Sequence, residues 1–350
     1  MDVRRSLRAG LAITGAMSAA TVAAKRARTR RSALRFYDPA KERLEPADFG
    51  AFHGGSPVVW HRSESYQTLH SASLEAVRAA LPTPVLHPVR LPGDRAAILV
   101  ASFQHDVITA HGVNGRAMLP YGEVMVAALV TRRPAPPLVP LVAPSATGLG
   151  AGGFVLHLPV TTREARDAGR LVFGYPKFIA DMEFEDAIET CRVRLDEGGR
   201  HILTQTIRPA GPTTVTSSPL TLYSVLDGKL IAETMPMVGH QQRRPGRRGG
   251  YLELGDHQVA DELRGLDLSP EPLLATRITG LRFAMTPGQP IGSARQYLGY
   301  IGDERDLGRY VIAYPNAAPI DQYAPFAPTA GPASTLSEVS PQPEPEPVAS

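Results

Sequence analysis

The sequence predicts an α+β protein built mainly from β-strands, with an antiparallel sheet and a few helices outside it. Two observations support this fold class. Runs of strand length, rich in β-branched and aromatic residues, recur along the chain, and several of them alternate apolar and polar residues. Helical patterns are few and short. A large sheet must bury its apolar face, so we expect it to close or to fold over.

Ten segments carry the strand pattern. They are PVVWHRSESYQTL, AAILVASFQHDVI, YGEVMVAALV, FVLHLPV, IADMEFED, CRVRL, HILTQTI, LTLYSVL, KLIAETM and ATRITGLRFAM. In CRVRLDEGGRHILTQTI, Gly198 and Gly199 separate two such runs. This spacing predicts an antiparallel hairpin.

Three segments carry the helical pattern. They are SASLEAVRAALP, TTREARDAGR and GDHQVADELRGL. In the first, Ser71 or Ser73 is the candidate N-cap and Pro82 is the stop signal. We therefore expect three short helices at the periphery of the sheet.

Length and composition predict one large domain between two tails. The 350 residues, 43% of them hydrophobic, suffice for a full core. The domain is predicted over residues 36–315. Residues 1–35 form a basic arm, and residues 316–350 are Pro-rich with few large apolar residues, which is typical of a disordered tail.

The positive charge of the chain is concentrated in the arm. The arm contains eight arginines and Lys25 but one acidic residue, Asp2. Because the rest of the chain carries no excess of positive charge, we expect that the folded domain does not bind nucleic acid. The apolar run after Arg8 has the outline of a signal peptide, but basic residues from Lys25 onwards oppose translocation. A cytoplasmic location is expected, with export or membrane contact of the arm as the alternative. The single cysteine, Cys191, excludes an internal disulfide and fits a reducing compartment.

Several classes of site are not indicated by the sequence. We find no phosphate loop, no dinucleotide-binding glycine motif opening a helix and no HExxH. The histidines lack metal-ligand spacing, and no metal or organic cofactor is expected. The run GHQQRRPGRRGGY could bind an anion, but a solvated loop between strands is the favoured interpretation.

One lysine stands in an unusual setting, the stretch AGRLVFGYPKFIADMEFED. Pro176 restricts the backbone on either side, so Lys177 follows a rigid point after Gly174. Its large neighbours are Phe173, Tyr175, Phe178 and Ile179. Burial among them would favour the neutral amine, which can attack a carbonyl. The alternative is a surface lysine whose ammonium extends into water.

The segment GRLVFGYPKF is similar to the signature of the acetoacetate decarboxylase family. The resemblance covers about residues 50–315 and places Lys177 at the lysine that forms the Schiff base. It also places Glu123, in LPYGEVMVAALV, at an active-site glutamate. Arg62, in WHRSESYQTL, is the candidate for the arginine that meets the substrate carboxylate. For Glu123 and Arg62, a solvent-exposed position is the alternative.

Two departures from the family pattern concern the reaction. Phe178 stands where many members carry a second lysine, and Leu171 replaces a glutamate. A lysine at position 178 is accordingly expected to be tolerated. The family's other glutamate is not placed in this sequence. Decarboxylation, aldol-type chemistry and dehydration therefore all stay open.

The resemblance implies a β-barrel or cone that encloses Lys177 and assembles as a homo-oligomer. Lys177 would form an imine with a small keto acid, while Glu123 would orient the substrate or move a proton. Arg62, Tyr175 and Phe178 would contact the substrate. The alternative function is a non-catalytic protein that binds a hydrophobic or keto-acid ligand in the same cavity.

Overall fold

A computed structural model describes residues 58–110, 117–118, 120–142, 148–187, 189–217, 219–285, 287–297 and 299–302. The strands are β1 (Val58–Ser73), β2 (His87–Pro88), β3 (Arg90–Leu91), β4 (Arg95–Ala110), β5 (Ala117–Met118), β6 (Tyr121–Thr131), β7 (Gly152–His157), β8 (Asp181–Asp186), β9 (Cys191–Glu197), β10 (Arg200–Ile207), β11 (Thr214–Thr216), β12 (Leu220–Leu226), β13 (Lys229–Met235), β14 (Met237–Pro245), β15 (Gly250–Leu254), β16 (Leu274–Met285) and β17 (Gln289–Ser293). The helices are α1 (Leu74–Ala80), α2 (Val139–Val142), α3 (Arg163–Phe173) and α4 (Gln258–Gly265), with a 3-10 turn at Arg247–Gly249.

The strands form two sheets, and the mainly β prediction is confirmed. The larger sheet has 13 strands in the order β11-β14-β16-β1-β4-β6-β7-β12-β13-β17, with β2 beside β6 and with β3 and β5 beside β4. The smaller sheet has the order β15-β10-β9-β8. The larger order runs from β11 to β17 without returning, so the described strand pairs do not form the closed ring of a barrel.

One strand pair departs from the antiparallel prediction. Strand β7 pairs with β12 in parallel, through Leu222 opposite Gly153 and Tyr223 opposite Phe154. Parallel neighbours need a long crossover connection. Here the crossover contains α3, the lysine segment and strands β8 to β11. The segment that contains Lys177 is therefore part of the connection between two strands of the large sheet.

The two longest strands carry a β-bulge that affects the site. Strands β1 and β4 pair antiparallel over most of their length, but their register shifts between Trp60 and Arg62 and again between Arg62 and Ser63. A bulge breaks the alternation of side chains and turns them to new directions. Trp60 and Ser63 are buried, and Arg62 between them is exposed.

All three predicted helices are confirmed, and each begins with a side-chain cap. The caps accept backbone N–H groups and are Ser73 for α1, Thr162 for α3 and His257 for α4. Of the two candidate serines, Ser73 is the N-cap of α1. Helix α3 ends at Gly174, whose φ of 66° is left-handed and favours glycine.

The prediction of a solvated loop in GHQQRRPGRRGGY is wrong for Arg243 and Arg244 but is confirmed for Arg247 and Arg248, which are exposed in the turn between β14 and β15. Arg243 and Arg244 lie on β14, where they pair with Thr276 and Ala275 of β16. The sequence pattern did not predict this strand, because several of its residues are polar and exposed and the alternation of apolar and polar residues is weak. Strands β11, β15 and β17 were also not predicted.

Buried apolar residues form two main clusters. One contains Trp60, Met125 and Leu281, and the other contains Phe178 and Tyr300.

No described helix is both long and apolar enough to span a membrane. The arm at 1–35 and the tail at 316–350 lie outside the described residues, so these segments and the domain limits at 36 and 315 stay predictions.

Candidate active site

The backbone of Lys177 is fixed by the end of α3. After Gly174, the N–H of Tyr175 donates to the carbonyl of Gly169 at 3.1 Å. The buried Arg170 donates from Nε to the carbonyl of Lys177 at 2.6 Å and from a terminal nitrogen to that of Ile301 at 2.7 Å. Hydrogen bonds from the end of α3 therefore fix the backbone from which the Lys177 side chain extends.

Gly169 makes room for the lysine side chain. A Cβ atom at this position would lie 2.5 Å from Cε of Lys177, closer than carbon atoms approach without a shift. Ala165, Ala168 and Gly169 all line the cavity described below. The small residues of α3 thus let the lysine methylenes run directly against the helix.

Lys177 and Glu123 form a close ion pair. The distance from Nζ to Oε2 is 2.7 Å, and the exposed fractions of the two side chains are 8% and 14%. Val160 lies between their backbones, bridging to Glu123 on one side and to Ile179 on the other. Strand β6 and the lysine segment are thereby held at the spacing that the ion pair requires.

Both charged groups face an apolar cavity of about 130 Å³. Its aromatic wall consists of Trp60, Phe103, Phe173 and Phe283. The rings of Trp60 and Phe283 stack with centroids 4.5 Å apart. A carbonyl compound that enters would meet an amine and a carboxylate in a medium with little water, where electrostatic interactions are strong.

A second carboxyl group lies behind the cavity wall. Tyr175 lines the cavity, and its hydroxyl donates to Oε2 of Glu233 at 2.7 Å. Burial raises the pKa of Glu233 to about 8, although the Tyr175 hydrogen bond and the positive charge of Lys177 oppose the shift. Burial also raises the pKa of Tyr175 well above its usual value. At neutral pH both groups are predominantly protonated.

A neutral aromatic cluster stands beside the amine. The Nζ atom of Lys177 lies 5.8 Å from the ring centre of Tyr121, whose hydroxyl accepts from Nε1 of Trp60 at 3.3 Å. Behind Tyr121, the buried His105 contacts Oγ of Ser63 at 2.8 Å through Nδ1. Burial, and then the charge of Lys177, hold the pKa of His105 well below its usual value. Its imidazole is therefore uncharged.

Three of the five predicted site residues come together at the cavity: Lys177, Glu123 and Tyr175. Arg62 does not, since its side chain is 64% exposed and Nε contacts Asp106 at 3.2 Å. The bulge in β1 is the physical reason, because it turns Arg62 outward after the cavity-lining Trp60.

Phe178 also lies away from the cavity. Its ring is fully buried and contacts Tyr300 edge-on, with centroids 4.9 Å apart. Neighbouring side chains in an extended segment point in opposite directions. Lys177 points into the cavity, and Phe178 therefore packs in the other core cluster.

Sequence reasoning missed Glu233, Gly169, Trp60 and Tyr121. A signal for Glu233 exists in KLIAETM, because positions 231, 233 and 235 share one strand face and the other two are apolar. A lone acid on the apolar face of a strand indicates a buried carboxyl group. The signal for Gly169 is weaker, since a glycine in the middle of a helix has several explanations.

The fold and the site define a mainly β protein with a lysine–glutamate pair inside an apolar cavity. The family model described as acetoacetate decarboxylase (ADC) matches residues 60–286, and the chain belongs to this family. A search of curated proteins finds no match.

Solved structures with similar folds include two acetoacetate decarboxylases. The protein from Legionella pneumophila subsp. pneumophila str. Philadelphia 1 is 14% identical, with a TM-score of 0.53 over 73% of this chain and 95% of that chain. Another acetoacetate decarboxylase is 18% identical, with a TM-score of 0.49 over 73% and 96%. The enduracididine biosynthesis enzyme MppR, complexed with pyruvate, is 13% identical, with a TM-score of 0.48 over 72% and 93%. At these identities the likeness concerns the fold.

Proposed function

We propose that this protein is a lyase that forms an imine between Lys177 and the ketone of a keto acid. The observation that carries this proposal is the 2.7 Å contact between Nζ of Lys177 and Oε2 of Glu123 inside an apolar cavity. Membership of the acetoacetate decarboxylase family supports it.

Imine formation begins with a proton transfer. The ammonium of Lys177 cannot attack a carbonyl, and the Glu123 carboxylate is within hydrogen-bond distance to accept its proton. The neutral amine then adds to the ketone carbon to give a carbinolamine. Glu123 returns a proton to the departing hydroxyl, water leaves, and a cationic imine remains.

In a 3-keto acid, the imine accepts the electrons of the bond that breaks next. The bond between C2 and the carboxylate carbon cleaves, CO₂ leaves, and the electron pair forms the C2–C3 double bond of a neutral enamine. A proton then adds to C2, and water hydrolyses the resulting imine to release the ketone and free Lys177. The apolar wall assists, because a carboxylate removed from water is raised in energy relative to CO₂.

The same imine would also support aldol-type or dehydration chemistry. Loss of a proton from the carbon beside the imine gives the same kind of enamine, which can attack a second carbonyl or expel a hydroxyl group. Glu123 is the base nearest to the amine for that step. Decarboxylation is the reaction we propose first, because desolvation of a carboxylate requires only the apolar wall.

Glu233 and Tyr175 define the charge around the imine. Because Glu233 is predominantly protonated at neutral pH, it adds little negative charge near Lys177. Glu123 is then the carboxylate that balances the lysine. Tyr175 donates its hydroxyl proton to Glu233, and this hydrogen bond fixes the Tyr175 side chain in the cavity wall.

Trapping with borohydride tests this proposal. The protein is incubated with acetoacetate or other 2- and 3-keto acids, reduced, and analysed by intact and peptide mass. We expect an adduct on Lys177 and none in Lys177→Arg, because the guanidinium keeps its charge and is not a nucleophile.

The opposing result would favour a non-catalytic binding protein. Trp60 is the one tryptophan of the sequence and lines the cavity, so its fluorescence reports binding without chemistry. Quenching of Trp60 by a keto acid that leaves no adduct on Lys177 would refute the lyase. The observation that favours this second function, binding without catalysis, is the nearly continuous apolar lining of the cavity.

A further inference from the structure

The cavity holds little charge beyond the ion pair. Among the described residues that line it, Lys177 is the one basic side chain and Glu123 the one acidic side chain. These two neutralise each other at 2.7 Å. A substrate carboxylate that enters thus meets no second cation among these residues.

The nearby arginines are engaged elsewhere. Arg62 contacts Asp106 at the surface, and Arg170 donates to two backbone carbonyls. Arg166 is fully buried and contacts Asp167 at 2.7 Å. None of these three lines the cavity. The binding of a keto acid must therefore draw its favourable free energy from another part of the molecule.

The apolar side chains of the cavity wall can supply this binding free energy. Four methionines, Met125, Met235, Met237 and Met285, line the cavity together with the aromatic wall. Methionine is flexible and polarisable, and it adapts to apolar ligands of irregular shape. The cavity volume of about 130 Å³ is close to the roughly 150 Å³ of an apolar cavity that admits benzene.

We propose that the substrate ketone carries an apolar substituent of about five or six carbons, linear or aromatic, that fills this methionine-lined cavity. Acetoacetate, with a methyl group at that position, would leave most of the cavity unused. The proposal rests on the proposed function, because imine formation at Lys177 places the ketone at the cavity wall.

The substituent also has a role in the reaction. Burial of apolar surface far from the reacting bond supplies binding free energy that can offset the transfer of an unpaired carboxylate out of water. Each added methylene is expected to improve binding about fourfold, until the cavity is full. Substrate selection would then depend on chain length more than on the carboxylate.

A series of 2-alkanones tests the inference, since these ketones form imines but carry no carboxylate. 2-Butanone, 2-hexanone, 2-octanone and 2-decanone are trapped with borohydride, and the concentration that gives half-maximal labelling of Lys177 is measured. We expect this concentration to fall about fourfold per methylene up to 2-octanone and then to level off. Equal values for 2-butanone and 2-octanone, with Lys177 labelled, would overturn the apolar substituent and leave the lyase intact.

Fluorescence separates the failure of this inference from the failure of the proposed function. If neither the ketones nor the keto acids label Lys177, the lyase is refuted, and quenching of Trp60 then reports on the cavity alone. Quenching that strengthens with chain length supports the apolar site. Quenching that is independent of chain length, or absent with all four ketones, overturns it.

A cavity-filling variant adds a second test. Leu220 lines the cavity and is half-buried, so Leu220→Phe should reduce the available volume and shorten the longest ketone that binds well. The matched control is Val215→Phe, since Val215 is 41% exposed and does not line the cavity. An unchanged chain-length profile in folded Leu220→Phe would contradict the inference.

Discussion

Tyr175 and Glu233 are joined by a hydrogen bond of 2.7 Å from the phenol to the carboxyl group. The bond connects the segment that contains Lys177 to β13. Because Glu233 is buried and its pKa is raised to about 8, this contact involves a carboxyl group that holds its proton at neutral pH. Glu233 should therefore contribute to the pH dependence of the protein's stability.

We expect the contribution of Glu233 to the stability of the protein to fall as pH rises from 5 to 9. The folded state keeps the Glu233 proton up to about pH 8, whereas the unfolded chain releases it near 4.5. The folded state thus binds more protons between these values, and stability falls by up to about 1.4 kcal/mol per pH unit from this residue. Thermal melts across this range measure the effect.

Glu233→Gln provides the matched control, since an amide of the same shape does not titrate. Relative to wild type, the variant should gain stability steadily as pH rises from 5 to 9. A constant difference in Tm between the two proteins over this range would contradict the assignment of a raised pKa to Glu233.

Gly169→Ala should disturb the lysine. The added methyl group would collide with the Lys177 methylenes, so the side chain must move away from Glu123. We expect a loss of stability of about 1–3 kcal/mol and at least a tenfold loss in the rate of borohydride trapping.

Gly265→Ala is the control for Gly169→Ala. Gly265 is the last residue of α4, and an added Cβ would have no neighbour within 4 Å among the described residues. This variant should keep both stability and trapping. If the two alanine variants trapped ketones equally fast, Gly169 would have no role in positioning Lys177.

Glu123→Gln should slow turnover and leave imine formation detectable. An amide keeps the shape of the side chain but cannot accept a proton from Lys177, and loss of a general base typically costs about 10²- to 10⁴-fold in rate. Single-turnover kinetics with a keto acid, followed by trapping at long times, would separate rate from extent. Turnover at the wild-type rate would exclude proton transfer by Glu123.

Phe178→Lys should destabilise the fold, in contrast to the tolerance expected from the family pattern. Phe178 is fully buried against Tyr300, so an ammonium there would lose its hydration. We expect a loss of several kcal/mol in the free energy of unfolding, measured by urea titration. Phe178→Leu keeps an apolar side chain and should cost about 1 to 2 kcal/mol. Equal stability of the two variants would show that position 178 is not tightly enclosed.

The sequence predicted the features that depend on local patterns. Strand alternation and helix caps gave the main elements, and the Gly-Tyr-Pro-Lys segment predicted the burial of Lys177. The prediction for Arg62 failed because one bulged residue in β1 reverses its direction. No periodicity in the sequence marks where such a bulge falls.

Long-range pairing was the other feature that local patterns could not give. The parallel contact of β7 with β12 joins segments separated by α3 and the smaller sheet. Glu233 and Tyr175 likewise meet only after that crossover is complete. From the sequence alone, each of these residues could contact several others. Its actual partner is determined only when the whole sheet has formed.

Val58 pairs with Met285, and both side chains line the cavity. The family model matches residues 60–286, so Val58 lies just before its first residue and Met285 lies next to its last. During synthesis on the ribosome, β1 can pair with β4 as soon as β4 has emerged, but the other edge of β1 has no partner until β16 has been made, because β1 lies between β4 and β16. Until then the cavity lacks one wall and water has access to Lys177. The cavity around Lys177 is thus complete only when nearly the whole domain has been translated.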